Sequence, residues 1–450
     1  MSNESVTAPS RRVVVGYALG SVGTGGFGTL PGLVLAYYLT DTLGVAAGLA
    51  GLAVTLPKIW DVIVDPIIGR ASDASARRRG SRRAFLLAGA VLLPVCFALV
   101  FAVPGGLDGG AAAVWVVVAF LLATTAFSVF QVPYIALPAE LASTPSARTR
   151  LVAPRIAVLA IAILAFGAGG PELRTAMGGG RPGYLAMGIV TALVIGAGMA
   201  LAAVLTTRGG EVGVAGRVPP SSGDGGFRAG LSALRESAAL RLLLAAFVLQ
   251  ALATGAMLGA AQYVATYTLG DESALTGLFV ALVAPALLVM PLARRVADRI
   301  GKRRALLGST VVFVLATSAL VLARPMPGGW VFGCVGLAGV AYAGMQLYPL
   351  ALLPDVIDLD ARAHGKDRAG VIAGVWTAGE TAGLALGPAL VLGVLAVTGF
   401  VSRTSSVVVA QPGAALWGVV ITFSLVPALL ALASVVPLAR LRVHNEQVPG

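Results

Sequence analysis

Two aspartates, Asp61 and Asp65, stand four residues apart in an otherwise apolar stretch, Pro57-Lys58-Ile59-Trp60-Asp61-Val62-Ile63-Val64-Asp65-Pro66-Ile67-Ile68-Gly69. Residues i and i+4 share a helix face, so both carboxylates can point at one cation or share one proton. Carboxylates are costly inside a bilayer, and a pair of them there marks a functional site. The pair reads as a coupling site in a membrane transporter. Two acids that cannot both ionise cheaply in a low dielectric can hold one proton between them near neutral pH. Lys58, one turn before Asp61, works against this by favouring the ionised acids. The alternative is a Lys58–Asp61 pair that only closes its helix against a neighbour.

A second group surrounds Glu380, with Trp376, Thr377 and Thr381 within one turn. Trp376 and Glu380 share a face, suited to a cationic group or to a second proton carrier; the alternative is a Glu hydrogen-bonded to a facing helix. Gln262, Tyr263, Tyr342, Gln346 and Tyr134 offer further polar lining, and each suits interfacial anchoring or helix–helix hydrogen bonding as well. Asp355, Asp358 and Asp360 interleave with Arg362, His364, Lys366, Asp367 and Arg368 in a segment read as a cytoplasmic loop. Such alternation suits a gate-closing ion-pair network with the other half's basic loops rather than a metal or catalytic cluster; solvated loop charge is the alternative. His364 and His444 are the only histidines, and neither falls in an apolar stretch, which speaks against an enzyme. There is no G-x-x-x-x-G-K-[ST] loop, so ATP is not the energy source.

The elements that must position these residues follow from composition. The 450 residues are 57% hydrophobic and only 12% charged, with a mean hydropathy of +0.90, too apolar for a water-soluble surface. Twelve stretches are long enough to cross a bilayer as helices: 14–39, 45–69, 84–104, 112–138, 151–170, 183–206, 240–268, 273–293, 305–323, 329–353, 370–399 and 414–438. The fold class is an all-α membrane protein. A formal net charge of +12 would suit nucleic acid, but here the basic residues follow topology, not a soluble domain. Arg11 and Arg12, the runs Arg77–Arg79 and Arg82–Arg83, and Arg294, Arg295, Arg299 and Lys302–Arg304 all fall on one side. The other side has little beyond Arg174, Arg181, Arg324 and Arg403. The positive-inside rule therefore expects both termini in the cytoplasm and the chain in the cell membrane. Cys96 and Cys334 lie inside expected spans as packing residues, without a disulfide or metal framework. The first span lacks a cleavage pattern and is expected to be retained.

Residues 207–238 are the longest polar stretch, with the Gly, Pro and Ser content of a flexible linker. They divide the chain into six-helix bundles over 1–206 and 239–450. The end of the linker, with Phe227, Leu231, Leu234 and Ala238 at helical spacing, reads either as a short interfacial helix or as a polar lead-in. Asp73 with Arg77–Arg83 recurs as Asp298 with Arg299–Arg304, 225 residues on. Duplicated bundles with a midplane solute site are the architecture of a rocking transporter, although Gly and Arg in a short turn are also plain positive-inside signal.

The segment Gly69–Asp73 with its Arg cluster resembles the loop signature of the major facilitator superfamily. Three longer stretches are similar to the glycoside-pentoside-hexuronide:cation symporter family, of which melibiose permease is one type. They are Lys58–Asp61 through Asp65-Pro66 and Gly69, Val132–Leu137 with Glu140-Leu141 and Arg148–Arg155, and Leu353–Asp358 to Gly365-Lys366 and Gly370. The resemblance implies a major facilitator fold and a coupling-cation site of Asp61, Asp65 and Ser128, with Lys58 at a usual basic position. Gln131 stands where the melibiose permease type has a third carboxylate, and Val64 where it has an amide. Fewer hard oxygen donors weaken a Na⁺ site, so H⁺ is the expected coupling ion over Na⁺. On the sugar side, Gly25 occupies the place of a sugar-binding Asp, Ile135 of a stacking Trp and Thr381 of a Lys, while Arg155 matches a polar sugar contact.

The expected function is cation-coupled symport of a glycoside-like or other small organic solute by alternating access, with no cofactor beyond the coupling ion. Alternatives are a proton-coupled exporter of an amphipathic metabolite or drug, and a non-transporting receptor. The expected coupling set is Asp61, Asp65, Ser128, Gln131 and Lys58. Tyr134, Arg155, Gln262, Tyr263, Tyr342, Gln346, Trp376, Glu380 and Thr381 are expected to line the solute cavity. Asp73, Arg83, Asp298, Arg304, Asp355 and Asp358 are expected to form the cytoplasmic gate. The expected partners are the solute and the lipid bilayer, without nucleic acid, and one six-plus-six chain is expected to work as a monomer.

Overall fold

The computed structural model describes residues 9–142, 144–207, 226–364, 369–404 and 409–441. They form long helices, which we label α1 Arg11–Thr42, α2 Ala47–Arg79, α3 Arg83–Phe101, α4 Gly109–Leu141, α5 Pro145–Ala176, α6 Gly180–Thr207, α7 Ala238–Leu269, α8 Ala274–Ile300, α9 Lys302–Ala323, α10 Trp330–His364, α11 Ala369–Val397 and α12 Gly413–Arg440. Among the described residues, 11 helices are long and apolar enough to cross a membrane, and α8 makes 12 when its two parts, bent by 59° at Pro291, count as one span. The chain is a multi-pass helical membrane protein.

Two expected loops are helical instead. Gly69–Asp73 and Arg77–Arg79 belong to α2, and Asp355, Asp358 and Asp360 belong to α10. Polar residues do not stop a helix by themselves. The α2 helix ends only before Gly80, at φ +65°, and α8 before Gly301, at φ +87°, conformations that cost a residue with a Cβ 1–2 kcal/mol or so.

The chain divides into two compact units. The first comprises Met1–Pro31, Thr42–Val45 and Leu56–Gly223; the second comprises Gly32–Asp41, Ala46–Thr55 and Asp224–Gly450. In the first, α4 packs on α3, and α1 on α5 and α6. In the second, α11 lies along α7 so closely that a Cβ at Gly387 would sit 2.1 Å from the backbone of Gly255. Small residues permit such approaches where lipid offers no competing hydrophobic drive.

Most of the expected linker, 208–225, lies outside the described residues, as do Lys366, Asp367, Arg368 and His444. The end of the linker is a helix, Gly226–Glu236, followed by Ser237, whose hydroxyl caps α7 by accepting from the Leu240 amide at 3.3 Å. This short helix packs on α11, where a Cβ at Gly230 would lie 2.8 Å from Val375.

Candidate functional site

In the first unit Lys58 of α2 reaches both α1 and α4, with Asp61 beside it. Lys58 Nζ is 3.9 Å from Asp61 Oδ2 and 5.9 Å from the ring centroids of both Phe27 and Phe120. It is a cation held by one carboxylate and two aromatic faces. Asp61 Oδ1 is buried and has no hydrogen-bond partner among the described residues. Ser128 on α4 and the charge of Lys58 both act electrostatically on Asp65. The sequence-derived grouping of Lys58, Asp61, Asp65 and Ser128 is thus one cluster. Gln131, the fifth expected member, accepts through Oε1 from Thr24 Oγ1 at 2.8 Å, tying α4 to α1.

One turn further along α4, Tyr134 is fully buried. Its hydroxyl donates to the Tyr17 carbonyl and lies 3.1 Å from Ser21 Oγ, so the residue joins α4 to α1. The Arg155 guanidinium lies 5.3 Å from the Tyr134 ring and 5.9 Å from that of Tyr17, and its buried Nε has no partner among the described residues. Gly25 is a packing point: a Cβ there would come 2.7 Å from Ala162 Cβ on α5. A side chain at this place would therefore crowd α5.

In the second unit, Trp376 is 2% exposed and stacks on Phe247, centroids 4.3 Å apart and planes at 15°. Its indole N–H has no acceptor among the described residues. Glu380 is half-buried and Thr381 exposed. On α10, Gln346 Nε2 donates to the Tyr342 hydroxyl at 2.9 Å, and the charge of Glu380 reaches that phenol. Gln262 and Tyr263 are buried and belong to a different cluster. Gln262 Nε2 reaches Thr266 Oγ1 at 3.3 Å, and the Tyr263 hydroxyl lies 2.8 Å from Thr40 Oγ1.

That cluster, at the end of α1, is not evident from the sequence. Asp41 receives hydrogen bonds from Tyr267, from Thr40 Oγ1 at 2.7 Å and from Arg403 Nε at 3.2 Å. Tyr37 donates to Glu272 at 3.2 Å. A usable signal existed: Arg403 is one of few cations expected on its side, and a minority charge there needs an acid. Arg181 obeys the same logic by pairing with Asp108.

At the basic ends, Asp73 pairs with Arg82, while Arg83, expected among the gate residues, is exposed. Arg82 spreads its guanidinium over three acceptors: Asp73 Oδ1 at 2.6 Å, Glu140 Oε1 at 2.5 Å and Ser72 Oγ at 2.7 Å. Burial alone would lower its pKa, but the two carboxylates outweigh it and hold the group above its ordinary value. In the second unit, Asp355 takes a 2.8 Å bond from Lys302 Nζ, which also reaches the Ala351 carbonyl at 2.9 Å. Asp298, Arg304 and Asp358 are exposed.

A helical membrane protein with an acid pair and a lysine on its second span, and with paired charges at its helix ends, has the makings of a secondary transporter. The model of the family described as MFS/sugar transport protein matches residues 16–445, and the chain belongs to that family. Two curated relatives from Escherichia coli K12 align over about a third of their own lengths. They are the putative glycoside/cation symporter YagG, 30% identical over 34% of this chain and 33% of the relative, and the glucuronide carrier protein homolog, 33% identical over 35% of each. Among solved structures, the nucleoside transporter NupG superposes with a TM-score of 0.65 at 13% identity, over 96% of this chain and 98% of that one. At that identity the likeness is one of fold.

Proposed function

We propose that this protein is a cation-coupled symporter of a glycoside-like or other small organic solute, working by alternating access with both termini in the cytoplasm. The observation that carries the reading is the α2 cluster: Asp61 Oδ1 is buried without a partner among the described residues, 3.9 Å separates Asp61 from Lys58, and Ser128 acts on Asp65 from α4. An unpartnered buried carboxylate oxygen costs several kcal/mol or so unless a cation or proton satisfies it. A group that needs such a ligand in one state and can release it in another is suited to coupling. The names of the relatives, a glycoside/cation symporter and a glucuronide carrier homolog, support the solute class.

H⁺ is the better-supported coupling ion. Na⁺ needs several oxygen donors, whereas here Gln131 Oε1 already accepts from Thr24, leaving two carboxylates and one hydroxyl. The test is solute-induced proton movement in proteoliposomes, with glycosides and amphipathic solutes, comparing wild type with Asp61→Asn/Asp65→Asn. Flux that needs both solute and acids is the expected result, and its sign separates symport from export. Uptake that follows a Na⁺ gradient would replace H⁺ with Na⁺. Flux unchanged in the double variant would reject the α2 site.

A further inference from the structure

Along α7–α12, lysines and arginines occur only at Arg241, Arg294–Arg304, Arg362 and Arg440, near helix ends, and the acids Asp298, Asp355, Asp358 and Asp360 sit near ends as well. Glu380, in the middle of α11, is the exception. Its half-buried carboxylate makes no hydrogen bond or ion pair among the described residues. The expected alternative, a bond to a facing helix, is therefore not what the structure contains. One turn earlier on the same face, the buried Trp376 N–H also lacks an acceptor, while stacking on Phe247 fixes its ring. The charge of Glu380 reaches the Tyr342 hydroxyl, to which the Gln346 amide donates, and neither group carries a compensating positive charge.

We propose that Glu380, with Trp376 beside it, is the subsite for a protonated amine on the transported solute, and that Glu380 is the residue that selects amine-bearing solutes over neutral and acidic ones. An ammonium supplies the missing positive charge and donates to the carboxylate, a charge-assisted bond stronger than a neutral one. The indole N–H is sealed by protein in this state; an acceptor atom on the solute, such as a hydroxyl oxygen next to the amine, would satisfy it when the solute's arrival uncovers it, and its isolation costs about 1–3 kcal/mol. A carboxylate on the solute would meet a like charge with no cation in the middle of these helices to offset it. The inference rests on the transport reading above and narrows its solute class.

The test is ligand-induced thermal stabilisation of the purified full-length protein, using two series matched in skeleton: glucosamine, glucose and glucuronate, and benzylamine and benzyl alcohol. The expected result is stabilisation by an amine at concentrations at least about tenfold below those its matched alcohol requires. Glu380→Gln abolishes that preference, Glu380→Asp keeps part of it, and Trp376→Phe, which preserves the stack on Phe247 but removes the N–H, weakens amine binding severalfold. Unfolding without ligand shows whether each variant is folded, and Trp376→Phe carries the test if Glu380→Gln is not. No amine preference in either series, or a preference that survives Glu380→Gln, overturns the proposal. Glu380→Gln altering only the pH profile of flux, with amine preference intact, makes Glu380 a proton carrier and also overturns it. The readout is binding without an ion gradient, so its failure is distinct from a failure of coupled flux.

Discussion

Arg403 Nε lies 3.2 Å from Oδ1 of Asp41, a carboxylate with no solvent exposure, although 362 residues separate the two in sequence. The backbone adds to the contact, since the Arg403 amide donates to the Thr40 carbonyl at 2.8 Å. Burial alone would lower the pKa of Arg403, but Tyr267, Tyr37 and Asp41 outweigh it and hold the group above its ordinary value. A raised arginine keeps its charge below that value, so its share of the stability is present throughout the working pH range.

Removing one partner of a buried pair leaves the other charge uncompensated, which costs about 3–5 kcal/mol. Asp41→Asn and Arg403→Ala are each expected to lower stability by that order. The double variant should cost clearly less than the sum of the two. Chemical or thermal unfolding in detergent reads the coupling, and additive losses would show that the pair contributes nothing of its own.

Arg82 and Arg83 are neighbours of the same type with different fates. Arg82→Ala strands Asp73 and Glu140 and is expected to cost about 3 kcal/mol, whereas Arg83→Ala, at an exposed site, stays within about 0.5 kcal/mol. Arg82→Lys should rescue little, because a single ammonium cannot reproduce the fork that reaches three acceptors. The same unfolding assay ranks the three variants.

Gly25→Asp would place a carboxylate where the melibiose permease type has a sugar-binding one. It is not expected to create sugar binding. The added Cβ would sit 2.7 Å from Ala162 Cβ, and overpacking of this kind costs about 1–3 kcal/mol. Combining Gly25→Asp with Ala162→Gly should recover much of the lost stability, which the midpoint of thermal unfolding reports.

Ser128→Ala removes the hydroxyl that acts on Asp65 and leaves both acids in place. A polar group that stabilises a charged one contributes about 1.5–3 kcal/mol, so solute-driven proton flux should fall by roughly tenfold or more while protein level is unchanged. Flux at the wild-type level would remove Ser128 from the coupling set.

Much of this architecture is legible in the sequence because a bilayer leaves few options. Apolar runs of sufficient length mark the spans, and Asp61 and Asp65 stand out because charge there is expensive. The ends of the spans are harder to read, since hydropathy falls where a helix leaves lipid and not where it stops. For that reason Arg70 to Arg79 read as loop although the helix continues to Arg79. The identity of Asp73's partner was hidden for a related cause: only the backbone after Gly80 decides whether Arg82 or Arg83 turns inward. Tyr134 shows the other limit. A tyrosine among apolar residues looks the same whether it lines a cavity or bonds to the next helix, and here it bonds to the Tyr17 carbonyl.

Arg82 and Lys302 stand at equivalent places in the two halves, each at the start of its third helix and each tied to an acid on the fourth, Glu140 or Asp355. Their grips differ. Arg82 is 5% exposed and engages three side chains, while Lys302 is 41% exposed and holds one carboxylate and one carbonyl. These two corners therefore differ in stiffness. Amide exchange at the joined ends of α2, α3 and α4 should be slower than at the corresponding ends of α8, α9 and α10, so that thermal fluctuation is concentrated in the second of the two.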